Sequence, residues 1–249
     1  MRLHRNLCFA VIDGLTLIFN EGQYADKVIQ QLLKRDKRWG SRDRGFVAET
    51  VYDIVRWKRL YAEIAEVKEP FDRDNLWRMF AVWATLKGIS LPDWKYFENT
   101  PTRKIKGRFD ELSKVRKLRE SIPDWIDAVG LAELGESKWT KEIAKQNEKA
   151  EVILRTNTLK TTKEQLQNIL ADEGIDTEFI KGHPSALKLV ERANVFVTDA
   201  FKKGLFEVQD ACSQLVAEFL DVKPGMKVVD SCAGAGGKTL HIASLMENK

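Results

Sequence analysis

The stretch VVDSCAGAGGKTLH, from Val228 to His241, constrains the fold more than any other: an apolar strand runs into a glycine-rich turn that opens a helix. Val228 and Val229 predict the strand, and Asp230 stands at its carboxyl end. Gly234, Gly236 and Gly237 let the backbone approach a ligand with no Cβ in the way. A helix from about Lys238 aims its free N–H groups at the same spot. Three ligand classes use such a turn, and spacing separates them. A phosphate-binding P-loop needs glycine five places before Gly237, where Cys232 stands. A dinucleotide fingerprint starts at Gly234 and Gly236 but meets Thr239 in place of its third glycine. What remains is Asp-x-Cys-x-Gly-x-Gly, at Asp230, Cys232, Gly234 and Gly236. On the turn alone, a glycine-rich corner without a ligand stays open.

That pattern looks like the D-x-G-x-G-x-G loop of S-adenosylmethionine-dependent methyltransferases, with cysteine in the first glycine slot. The wider segment FEVQDACSQLVAEFLDVKPGMKVVDSCAGAGGKT, Phe206 to Thr239, closely resembles the Sun/Fmu family of RNA cytosine-5 methyltransferases. These carry a QD-x-x-SQ helix, then PG-x-x-V-x-D, then C-A-x-P-G-G-K-T, and Ala235 stands here where the family has proline. GSRDRGFVAETVYDIVRWKRLY (Gly40 to Tyr61) looks like the family's NusB-like helical domain, and IPDW (Ile122 to Trp125) and LRTNTLK (Leu154 to Lys160) match further landmarks. The resemblance implies S-adenosylmethionine held by Asp230, Cys232, Ala233, Gly234, Ala235, Gly236, Gly237 and Lys238. It also implies an RNA substrate, ribosomal RNA in particular, methylated at cytosine C5 through a cysteine added at C6. The family's working cysteines lie in P-C-S and T-C-S motifs downstream of the glycine loop, and neither motif occurs before Lys249. The resemblance thus implies the N-terminal part of such an enzyme, ending just after the cofactor loop and inactive by itself. Cys232 matches the binding-loop cysteine and not the nucleophile, so no catalytic residue is assigned.

Charge divides the chain. Residues 1–120 hold 25 Lys/Arg against 17 Asp/Glu, and residues 121–249 hold 16 against 20, so the first half is the side for a polyanion. Two clusters stand out, KRDKRWGSRDR at Lys34 to Arg44 and RKIKGRFDELSKVRKLR at Arg103 to Arg119. From these, Arg42, Arg44, Lys104, Lys106 and Arg116 are candidate RNA phosphate contacts, although either cluster alone is more often a solvated surface. No run of 18 apolar residues and no secretory cleavage pattern appears, which argues against a membrane span. Three cysteines far apart, with no C-x-x-C pair, argue against disulfide and zinc frameworks and fit a reducing cytoplasm. The three histidines have no metal-ligand spacing.

Periodicity orders the rest into a multidomain α and α+β chain. Residues 1–120 read as an all-helical, NusB-like RNA-binding domain: an opening helix on Leu3, Leu7, Val11, Leu15 and Ile18, a second over Tyr24 to Lys34, a long third one capped by Ser41, and a fourth ending at Gly88. Trp77 and Trp83 read as core. Leu91 to Gly107 reads as a loop, followed by a basic helix to about Arg119. Residues 121–150 form a helical connector with Pro123 at a helix start. From Val152 the period becomes two, giving a small α+β module over 151–209, for which the resemblance implies RNA binding. VILRTNT, DTEFI, ALKLV and NVFVT read as strands, and a helix with a Thr161-x-x-Glu164 capping box stops at Gly174. Arg155 and Asn157, on the face opposite Leu154, are candidate RNA contacts. Asp210 caps a helix that leads to Pro224-Gly225, and residues 210–249 open a Rossmann-like methyltransferase domain. Two other function classes remain: a non-enzymatic NusB-like RNA-binding module, which has no use for the cofactor loop, and a P-loop ATPase, which needs glycine at 232.

Overall fold

The computed structural model describes residues 2–98 and 100–249, which form two compact units, Met1–Glu148 and Lys149–Lys249. Among the described residues the first unit is helical: α1 (Arg5–Phe19), α2 (Ala25–Lys34), α3 (Ser41–Arg56), α4 (Lys58–Ala65), α5 (Arg73–Leu86), α6 (Thr102–Leu112), α7 (Arg116–Arg119) and α8 (Asp124–Gln146). Apolar residues three and four apart set one face of α1, so that Leu7, Val11 and Leu15 are buried against α2 and α3. Gly14 lies at the α1–α2 contact, where a Cβ would stand 2.6 Å from Leu32 Cδ1. Trp77 and Trp83 are core residues, as the sequence predicts.

Three helical expectations are corrected. Gly40, not Ser41, is the N-cap of α3, and Asp43 Oδ2 reaches back to accept the Gly40 N–H at 3.2 Å. The long third helix breaks at Trp57, whose ψ of 22° ends α3 before α4 begins. The loop expected to reach Gly107 stops earlier, because Tyr96 stacks on Trp77 at 4.5 Å and Phe97 is buried, after which α6 starts at Thr102. Aromatic anchoring there follows no helical period, so periodicity does not register it. Further on, α8 turns at Gly135 (φ 73°), and its second half folds back to set the Trp139 ring against Gly130.

The second unit is a four-stranded antiparallel sheet in the order β2-β3-β1-β4, made of β1 (Ile153–Thr156), β2 (Thr177–Phe179), β3 (Ala186–Leu189) and β4 (Phe206–Val208). It also holds α9 (Lys163–Asp172), α10 (Asp199–Lys202), α11 (Ala211–Phe219) and α12 (Gly237–Leu245). Strand alternation gives the sheet two faces. Leu154, Leu187 and Phe206 pack with Leu166 and Leu170 of α9, while Ile153 and Ala186 pack under Ala211 of α11. The capping box of α9 is Thr162 with Gln165, one residue beyond the predicted Thr161 and Glu164. The predicted strand NVFVT is a 3-10 turn, because Asn194 and Thr198 side chains accept nearby backbone N–H groups and satisfy the chain locally. β4 is a strand that the motif reading of Phe206–Val208 leaves unrecognised. Val228 and Val229 form no strand: no ladder partner lies beside them among the described residues, and Val229 is 90% exposed.

Candidate functional site

The glycine-rich turn is built around Asp230. Its Oδ1 accepts the Cys232 N–H at 3.2 Å and its Oδ2 accepts the Thr239 hydroxyl at 2.8 Å, so one carboxylate ties both ends of the loop together. Gly236 accepts the Leu240 N–H and donates to Ala233 O, both at 2.8 Å, and it has the left-handed φ of 83° that only glycine adopts at little cost. A Cβ added at Gly236 or Gly237 would meet no atom within 4 Å, which leaves an open cradle above the backbone. The N–H groups of Gly237, Lys238 and Thr239, the first turn of α12, have no acceptor among the described residues. Free amides at a helix start beside an open glycine backbone suit the acceptor oxygens of a small ligand. Asp230 spends both oxygens on the loop and therefore orients it. Cys232 is exposed in the turn, Cys212 is exposed on α11, and burial pushes the Cys8 thiol up to about 12, which removes Cys8 as a nucleophile.

The predicted RNA contacts separate into three groups. Arg42 and Lys106 are exposed and have no partner among the described residues. Lys104 is exposed but paired with Glu66 at 2.5 Å, an interaction that holds the Glu66 carboxyl below its ordinary value. The remaining four face inward and are corrected. Arg44 donates to Leu33 O at 2.8 Å and Trp39 O at 3.0 Å, closing the α2–α3 connection by satisfying a helix-end carbonyl. Arg116 is 11% exposed, forks onto Asp127 at 2.8 and 3.2 Å, and also pairs with Glu136. Asn157 donates to Gly204 O at 2.9 Å and accepts the Leu159 N–H, which fastens two loops.

Arg155 is the largest departure. The sequence places it opposite Leu154, which is right, but α11 and α12 cover that face and leave it 2% exposed. Its Nε has no partner, and Glu207, directly opposite on β4, forms no ion pair with it. Burial lowers the guanidinium pKa, with Glu207 opposing. Beside it, His241 of α12 is 2% exposed with Nδ1 unpartnered; burial first, and the Arg155 charge second, hold it down at about 4. Gln209 and Gln214 each bury an unpaired Oε1, and Ser244 meets Thr158 hydroxyl to hydroxyl at 2.7 Å. A polar, under-bonded layer thus lies beneath the helix that follows the glycine-rich turn. Nothing in the spacing of the histidines singles out His241. Its position four residues after Gly237, on the inner face of a helix behind a ligand loop, was the available signal.

Residues 122–196 match the family model described as "Methyltr_RsmF/B-like, ferredoxin-like domain". A curated relative from Bacillus subtilis, named probable ribosomal RNA small subunit methyltransferase B, is 28% identical over 96% of this chain and 60% of its own length. The protein of the same name from Synechocystis sp. is 36% identical over 51% of this chain and 28% of its own. In Pseudomonas putida, the ribosomal RNA small subunit methyltransferase B is 27% identical over 85% of this chain and 54% of its own. The chain therefore spans between about a quarter and three fifths of these relatives. The crystal structure of PH0851 shares the fold, with a TM-score of 0.69 over 100% of this chain and 62% of that one at 23% identity. No described helix is long and apolar enough to cross a membrane. These matches bear out the resemblance to the Sun/Fmu family.

Proposed function

We propose that this protein acts in S-adenosylmethionine-dependent methylation of cytosine C5 in RNA, with small-subunit ribosomal RNA as substrate. One observation carries the reading: an open glycine cradle, braced by Asp230 between Cys232 and Thr239, runs into a helix start with free amides. The relatives' names support the substrate and reaction class. The cofactor, when bound, supplies an electrophilic methyl group. The chain's own residues then have separate tasks. Gly234, Gly236 and Gly237 admit the ligand to the backbone, and Ala233, Ala235 and Lys238 complete the turn. Asp230 fixes the loop, while Arg42 and Lys106 present unpaired charge to RNA phosphate.

None of the three cysteines is the attacking thiol in this reading. Cys8 is buried with a raised pKa, Cys232 belongs to the loop, and Cys212 has no base beside it among the described residues. The 249 residues alone then transfer no methyl group, a reading supported by the unpaired backbone around Val229. The test is the modification state of the RNA in the source organism. Deleting the gene should remove a 5-methylcytosine from small-subunit ribosomal RNA, and full retention of every such base would reject the assignment.

A further inference from the structure

The charge of the first basic cluster converges with two residues that its sequence does not include. Arg42, at the start of α3, lines a recess of about 250 Å³ together with Arg2, His4, Leu7, Asp43 and Phe46. Arg2, His4 and Arg42 are exposed, and neither guanidinium has an ion pair or hydrogen bond among the described residues. Asp43 is the only acid on the wall, and its Oδ2 is engaged by the Gly40 N–H. The floor is different in kind: Leu7 is buried, and Phe46 is half-buried with its ring held edge-on to Trp83 at 5.9 Å. A cationic rim over an oriented apolar floor matches a ligand that is anionic at one end and flat and apolar at the other.

We propose that this recess is a site for one nucleotide of single-stranded RNA, with the base against Phe46 and Leu7 and the phosphate between Arg2 and Arg42. The inference rests on the reading of RNA as substrate and locates where the helical unit takes hold of it. A recess of this size admits a single unstacked base, whereas an A-form duplex offers only its phosphates and shallow groove. Guanidinium groups suit the rim because they fork onto phosphate and also stack on bases, and sequence-tolerant binding of single strands combines these contacts with aromatic stacking.

The test is fluorescence anisotropy with the whole chain, using a short mixed-sequence single-stranded oligoribonucleotide and a duplex of equal length across a salt series. Arg2→Gln and Arg42→Gln should each reduce the slope of log affinity against log salt by about 0.7, the value of one lost contact to a single strand. Phe46→Leu should weaken binding about fivefold or more with little change in slope. Circular dichroism checks the fold of Phe46→Leu, and the two exposed arginines keep the test independent of that variant. Unchanged slopes in both arginine variants, equal affinity for the duplex, or full competition by millimolar inorganic phosphate or an acidic peptide would each overturn the nucleotide site. Loss of 5-methylcytosine on gene deletion reports on the function separately: if the modification persists while the arginine variants still lose slope, the proposed function fails and this site stands.

Discussion

Replacing Arg155 by methionine should stabilise the second unit, the reverse of what removing a buried charged side chain ordinarily does. The guanidinium is 2% exposed, its Nε meets no acceptor, and no carboxylate pairs with it. An ion removed from water costs several kcal/mol unless a partner offsets it, and hydrophobic replacement of buried charge stabilises by about 1–4 kcal/mol. Methionine keeps an unbranched apolar stem of similar length. Against this stands the lost attraction of Glu207, which is not in ion-pair range, so the net should be about 1–3 kcal/mol in favour of Arg155→Met. For a unit of this size each kcal/mol raises the midpoint by about 4–8 °C. Calorimetry should therefore show the melting of the second unit displaced upward by about 4–24 °C, with the first unit unchanged. Amide exchange in α12 should slow in the same variant. His241 offers an internal check, because the Arg155 charge is one cause of its lowered pKa and removing it should move the His241 titration upward. A lower melting temperature together with faster exchange in α12 would refute the reasoning and show that the guanidinium is bonded in solution.

The same histidine predicts a pH dependence. Its folded pKa of about 4 lies below the ordinary 6.5, so the unfolded chain binds the extra proton and stability falls as pH drops through that interval. Between pH 7.5 and 5 the loss should be about 2 kcal/mol, and His241→Gln should remove that difference when both proteins are melted at the two pH values. Arg116→Gln leaves Asp127 facing Trp139 without its cation and should cost the first unit about 1–3 kcal/mol in chemical denaturation, yet leave the salt dependence of RNA binding unchanged. Lys106→Gln should do the opposite, lowering that slope with no change in stability. Gly130→Ala would place a Cβ 2.3 Å from the Trp139 ring and should cost about 1–3 kcal/mol of overpacking by the same denaturation assay.

What the sequence made legible was local. The Asp210 cap, the apolar stripes of the helices and the glycine turn each follow from residues within a few positions of one another. Interactions between distant residues were not legible. Arg116 reads as one of a basic run until Asp127 and Glu136 arrive from α8 to neutralise it, and Lys104 meets Glu66 from 38 residues away. Arg155 alternates correctly with Leu154, but alternation gives the face of a strand and not what covers it. Here α11 and α12 cover it, and they lie more than 50 residues further along. Val228 and Val229 have the composition of a strand but no neighbour to pair with, and strand propensity is realised only in a ladder.

Whether Cys232 to Lys238 cradles S-adenosylmethionine is decided by amide NMR of the isotopically labelled chain titrated with the cofactor to millimolar concentration, which detects even weak binding. Shift changes are expected to concentrate on residues 232–239, including the amides of Gly237, Lys238 and Thr239 that are free among the described residues. These changes should vanish in Gly236→Val, whose β-branched side chain does not tolerate the φ of 83° at that position. Shifts that spare this turn, or that persist undiminished in Gly236→Val, would contradict that assignment.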